Sequence, residues 1–194
     1  MKKFVFAVGA LFATMGAAYA QSQVTQPSAV SFLAGMGISG GGDNLATARF
    51  TNGTSQKIKA GGGFYFTTGV NYQMTQEFSL QGTVNFHVDD TSANNGSIKF
   101  QRFPLEVLGY YHINDQLRIG AGLRYVSGAK LSSSGAAEGY NTKFDDTLSS
   151  VAEAEYFWVP NFGMKLRYVK ETFKAPGIRD VKANHVGISG NIYF

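Results

Sequence analysis

Two groups of charged residues flank two short polar turns in this sequence. Glu153 and Glu155 precede Val159-Pro160-Asn161, and Lys165 and Arg167 follow it. Arg102 and Glu106 precede Asn114-Asp115-Gln116, and Arg118 and Arg124 follow it. Within each group the charges share one parity, with apolar residues at the alternate positions. Acids and bases so placed can pair across a hairpin. They then serve either as a polar core or as a gate on a narrow water path. The other chemistry-bearing residues are His87, His112 and His185, which follow no metal-ligand spacing. Gly35-Met36-Gly37-Ile38-Ser39-Gly40 spells a dinucleotide fingerprint, but it runs from a strand pattern into a Gly/Asn-rich loop rather than into a helix. Asn52-Gly53-Thr54 is a sequon in spelling only. No catalytic residue, metal site or cofactor is read from these features.

The elements that must hold the charges come after an N-terminal leader. Lys2 and Lys3 precede an apolar run to Ala17, and Ala18-Tyr19-Ala20 is a small-x-small cleavage pattern. Residues 1–20 are read as a cleaved secretory signal and residues 21–194 as one domain. The formal net charge of +4 falls close to neutral once Lys2 and Lys3 are removed, which gives no indication of nucleic acid as a partner. With no cysteine, disulfides and thiolate metal sites are excluded.

The mature sequence repeats one plan, about ten alternating residues and then a turn. Val30, Phe32, Ala34, Met36 and Ile38 share the first apolar face, and Phe64 to Tyr72 and Phe78 to Val88 form the next two. Phe103 to Tyr111, Leu117 to Tyr125, Leu148 to Trp158, Phe162 to Tyr168 and Val186 to Phe194 complete eight strands. Between Phe100 and Phe103 the pattern changes phase beside Pro104, which predicts a bulge in the fourth strand. Tight connections at 73–76, 114–116 and 159–161 alternate with long ones at 39–57, 89–97, 129–146 and 174–183. That alternation predicts an all-β, eight-stranded antiparallel transmembrane up-and-down barrel. A soluble lipocalin-like barrel has the same strand number but would have to pack the Trp and the many Phe and Tyr residues inside. The lipid-facing alternative places Gly35/Gly37 and Gly120/Gly122 in a crowded lumen. It also explains why Tyr72, Phe78, Tyr111, Trp158 and Phe162 fall beside the tight turns, as an interfacial aromatic girdle.

With the charges inside, the turns set the register. Three-residue loops place Trp158 opposite Phe162, Glu155 opposite Lys165 and Glu153 opposite Arg167. They place Ile113 opposite Leu117, Glu106 opposite Arg124 and His112 opposite Arg118. Glu106, Arg124, Glu153, Arg167, Glu155, Lys165, Arg118 and Arg102 are therefore the candidate lumen ion-pair network. His87 and His185 face inward near the outer mouth, on strands that are not adjacent.

The signal sequence, the eight amphipathic strands and the ending VGISGNIYF resemble the small eight-stranded outer-membrane barrels of Gram-negative bacteria, the OmpX family and the OmpA transmembrane domain. The resemblance covers the mature chain and implies a bacterial outer-membrane location with the tight turns in the periplasm. It also implies that Phe194, with Ile192 and the alternate residues before it, is the signal read by the barrel-assembly machinery. The implied role is non-enzymatic, in membrane stability, adhesion or surface interaction, with a narrow ion or solute channel as the alternative. An enzyme acting on outer-membrane lipid is the third reading. The His-x-Ser element of the lipid A deacylases has no counterpart in His87-Val88-Asp89, His112-Ile113-Asn114 or His185-Val186-Gly187. The implied partners are outer-membrane lipid and lipopolysaccharide, whose phosphates Lys130, Lys143, Lys174, Arg179 and Lys182 could contact, and an extracellular ligand of the loops.

Overall fold

The structure, a computed structural model, describes residues 29–49, 55–93, 96–135, 139 and 141–194. The expected signal peptide and the sequon at 52–54 lie outside the described residues. Among the described residues thirteen strands follow in chain order: β1 (Val30–Gly41), β2 (Asn44–Arg49), β3 (Ser55–Lys59), β4 (Gly63–Gln73), β5 (Phe78–Ala93), β6 (Gly96–His112), β7 (Leu117–Gly135), β8 (Thr142–Lys143), β9 (Thr147–Val159), β10 (Phe162–Lys170), β11 (Thr172–Phe173), β12 (Val181–Lys182) and β13 (His185–Tyr193). Eight of them close a ring in the order β1-β4-β5-β6-β7-β9-β10-β13, and every pairing is antiparallel. The eight-stranded barrel is the one that the alternation predicts. β2–β3 and β11–β12 are small hairpins at the long-loop end.

Closure satisfies the backbone, leaving the side chains to divide the two faces. Phe32, Phe64, Val84, Leu105, Val107, Leu123, Leu148 and Leu166 are each at least 44% exposed, all on the outer wall. An apolar surface of this extent in water would be an aggregation liability, whereas in a bilayer it is the lipid-facing band. Tyr72, Phe78, Tyr111 and Trp158 are exposed at the tight-turn end, with Phe162 partly covered and Phe78 5.2 Å from Tyr111. A second aromatic group, Phe64, Phe103 and Tyr125, stands at the other edge of the band, with Phe86 5.2 Å from Phe103.

The predicted pairs hold on both hairpins: Lys165 faces Glu155, Arg167 faces Glu153, Arg124 faces Glu106 and Arg118 faces His112. Trp158 does not face Phe162. The turn is Pro160-Asn161, Val159 faces Phe162, and Trp158 is the extra residue that restores the register by Gly163↔Phe157. The expected bulge also moves. β6 alternates without a break, burying Ile98, Phe100, Arg102, Glu106, Leu108 and Tyr110. The extra residue sits on β7, between Ser127 opposite Phe103 and Lys130 opposite Gln101, where Gly128 takes a φ of +62°. A positive φ of this kind is open to glycine at little steric cost. Phe100 thus breaks the sequence pattern because the interior turns apolar above Arg102, not because the strand changes phase.

The second long connection is also shorter than expected. β5, β6 and β7 run for 16, 17 and 19 residues, so strand continues through most of 89–97. At about 3.3 Å per residue, the longest of these spans roughly 60 Å, well beyond an apolar band of about 25 Å.

Candidate functional site

Alternation sends Glu106, Arg118, Arg124, Glu153, Glu155, Lys165 and Arg167 into the lumen, where each is at most 6% exposed. They form one chain of alternating charge. Arg118 lies 2.6 Å from Glu155, which lies 3.7 Å from Lys165. Lys165 is 3.0 Å from Glu153, and Glu153 is 3.1 Å from Arg167. Arg167 is 2.7 Å from Glu106, and Glu106 is paired with Arg124. Arg124 continues to Glu171 at 3.0 Å. Each interior member therefore touches an opposite charge on both sides, the condition under which buried charges become tolerable.

Two tyrosines complete the hydrogen bonding. The Tyr110 hydroxyl donates to Glu153 and accepts from Lys165 Nζ at 2.9 Å. The Tyr193 hydroxyl accepts from Arg118 at 2.6 Å and donates to Glu155 at 2.8 Å. The Arg118 guanidinium also lies over the Tyr110 ring, 4.2 Å from its centroid. These rings fit because small residues face them. A Cβ on Gly120 would stand 2.6 Å from the Tyr110 ring, and one on Gly37 would stand 2.5 Å from Tyr65. The inward glycines make room for aromatic lumen residues, as the Gly-rich faces in the sequence suggest.

Arg102 corrects the expected network. It is fully buried, yet among the described residues it makes no ion pair. It donates instead to His87 Nε2 at 3.1 Å and lies over the Phe100 ring at 4.9 Å. His87 and His185, although on non-adjacent strands, meet across the lumen at 5.6 Å. Tyr65 packs against His87 at 5.4 Å, and Ser39 Oγ lies 2.9 Å from His87 Nε2. Because a guanidinium has no acceptor, Nε2 of His87 is the accepting nitrogen of that contact. His112 stands apart at the tight-turn end, 2.9 Å from Ser79 Oγ.

Above Arg102 the interior holds an apolar cluster that the sequence pattern does not mark. Phe100, Phe144 and Phe173 pack mutually at 5.6–5.7 Å, with Ile58, Ile98, Leu131 and Ala183 around them. Phe144 and Phe173 come from connections rather than from the eight runs. Glu171 was legible in principle, since it continues the parity of Lys165 and Arg167 past the apparent end of the seventh run. Lys130, Lys143, Lys174, Arg179 and Lys182 are exposed at the long-loop end, and Lys130 directly faces Lys143.

This closed amphipathic barrel with a charged lumen defines the class, an integral outer-membrane barrel. The chain belongs to the outer membrane protein beta-barrel domain family, which it matches over residues 4–194. It is similar in structure to Ail, the attachment invasion locus protein of Yersinia pestis, with a TM-score of 0.56 and 15% identity. That match covers 85% of this chain and 97% of Ail. Ail in complex with the heparin analogue sucrose octasulfate gives a TM-score of 0.52 at 16% identity, with the same coverage. Neisserial surface protein A matches with a TM-score of 0.49 at 14% identity, covering 86% of this chain and 98% of that one. No curated protein sequence matches this chain significantly. The location is the bacterial outer membrane.

Proposed function

We propose that this protein is a non-conducting, non-enzymatic surface protein, working in adhesion or surface interaction through its extracellular end. The observation that carries this reading is the pairing of a closed lumen with a projecting wall. The charge chain and the phenylalanine cap occupy the interior in series, while β5, β6 and β7 extend past the apolar band. Among the described residues of the long-loop end, exposed basic side chains such as Lys57, Lys130, Lys143, Lys174, Arg179 and Lys182 outnumber the acidic Asp90, Asp145, Asp146 and Asp180, which favours polyanions: lipopolysaccharide phosphates alongside the barrel and sulfated or phosphorylated polymers beyond it. Ail, similar in fold, is known in complex with a sulfated heparin analogue. In this reading residues 1–20 are the export leader, and Phe194 with Ile192 is the assembly signal.

The test is the refolded chain in neutral liposomes, exposed to immobilised heparin and to unsulfated dextran. The reading requires salt-sensitive retention on heparin alone, weakened by Lys130→Ala with Lys143→Ala. Parallel planar-bilayer recordings should be silent. Discrete openings that change with Glu106→Gln or Arg124→Gln would instead place the function in the lumen, with the ion pairs as a gate.

A further inference from the structure

Among the described residues, every buried cation of the lumen except Arg102 touches a carboxylate. Arg102 is 0% exposed, and two of its nitrogens, Nε and Nη1, have no hydrogen-bond partner. Its one polar contact, His87 Nε2, is an uncharged acceptor and neutralises nothing. Nearby donors are in the same condition: Arg124 Nη2 and Arg167 Nε are buried without partners. Arg167 reaches this region through Tyr65, over whose ring it lies at 5.3 Å and which itself packs on His87. Buried polar groups are almost always satisfied, so these orphan donors call for an acceptor, and beside a cation without an ion pair a charged acceptor is held most strongly.

We propose that Arg102 holds a small monovalent anion of the halide class, at the level of the lumen between the ion-pair chain and the phenylalanine cap. Nε and Nη1 of Arg102 supply the primary N–H donors, and the Phe100 ring backs the guanidinium. The two nearest acids limit the occupant. Asp89, one rung above on β5, has Oδ2 engaged by the Lys59 backbone N–H at 3.1 Å. Glu171 has Oε1 engaged by Arg124 and Ser149, and its Oε2 stands without a partner. Repulsion by these carboxylates grows with the charge of the anion, so a single small charge is the occupant they oppose least. The apolar cluster of Phe100, Phe144 and Phe173 keeps bulk water from screening the contact. The anion would enter during folding and exchange slowly afterwards.

Bromide is the probe. The chain refolded and crystallised in sodium bromide should show an anomalous peak within about 3.5 Å of Arg102 Nε or Nη1. Arg102→Met crystals should lack that peak. In parallel, the urea midpoint of the wild type in liposomes should be higher after refolding in chloride or bromide than in gluconate at equal ionic strength. That difference should vanish in Arg102→Met. Wild-type crystals without bromide at Arg102, a peak that persists in Arg102→Met, or wild-type midpoints independent of the anion would each overturn the site. The wild-type measurements decide the matter even if the variant does not fold.

Discussion

Nη2 of Arg167 lies 2.7 Å from both carboxylate oxygens of Glu106. The same carboxylate is also paired with Arg124, so one acid on β6 ties together β7 and β10 through the lumen. Removing its charge leaves two guanidinium groups short of an anion in a buried setting. Glu106→Gln should therefore lower stability by about 3–5 kcal/mol, measured by urea unfolding in liposomes with the heat-modifiable gel shift as readout. Adding Arg167→Gln removes one of the stranded charges. The double variant should fall short of additivity by about 0.5–3 kcal/mol. Strict additivity would mean that the two side chains do not interact.

Gly120 and Tyr110 test the crowding of the lumen. The Tyr110 ring occupies the space that a Cβ on Gly120 would need, at 2.6 Å from two ring carbons. Its hydroxyl is meanwhile held between Glu153 and Lys165. Gly120→Ala should cost about 1–3 kcal/mol through overpacking. In a Tyr110→Ala background the added methyl has room, and the same substitution should be nearly neutral. An equal loss in both backgrounds would trace the effect to the backbone instead.

The sequence carries the strand pattern and the charge register because both depend on parity alone. A residue that keeps its parity keeps its face, so Glu155 and Lys165 are matched before any coordinate is known. Parity also survives the misjudged turn at Pro160, because the bulge at Trp158 absorbs the extra residue. What parity cannot convey is three-dimensional reach. Arg167 faces Glu153 in register yet makes its closest ion pair with Glu106 on the non-adjacent β6, because long side chains cross a narrow lumen. The cap was illegible for a related reason. Phe144 and Phe173 lie outside the periodic runs, and their burial beside Phe100 depends on how the connections fold over the barrel mouth. Arg102 looked like a member of the network by parity, but its height places it beside His87 rather than beside an acid.

Phe173 belongs to the phenylalanine cap and not to the ion-pair chain, so its substitution tests the two proposed barriers separately. It is fully buried against Phe100 and Phe144, and Phe173→Ala should cost about 3–5 kcal/mol as a large-to-small change in a packed cluster. Conductance should nevertheless stay at baseline, since the ion-pair chain still fills the lumen below. Combining Phe173→Ala with Glu106→Gln weakens both barriers and should give intermittent openings in planar bilayers. Openings from Phe173→Ala alone would show that the cap is the sole barrier.

Val107 and Gln101 bracket the edge of the membrane on one strand. Both side chains point outward on β6, Val107 within the apolar run from Phe103 to Tyr111 and Gln101 on the extension above it. That run rises roughly 20 Å along the barrel axis at about 3.3 Å per residue and a tilt near 40°. Val107 also directly faces Leu123, another fully outward apolar residue, so a cation there finds lipid on every side. Val107→Arg should cost about 2–4 kcal/mol, and Gln101→Arg about 0–1 kcal/mol, following the depth dependence of charge on a barrel wall. Urea titration of both variants in the same liposomes gives the comparison. A matching loss at Gln101 would raise the lipid boundary above Phe103 and turn the projecting wall of β5, β6 and β7 into membrane-embedded strand. In that case the surface available to an extracellular partner shrinks to the two hairpins and the loop tips.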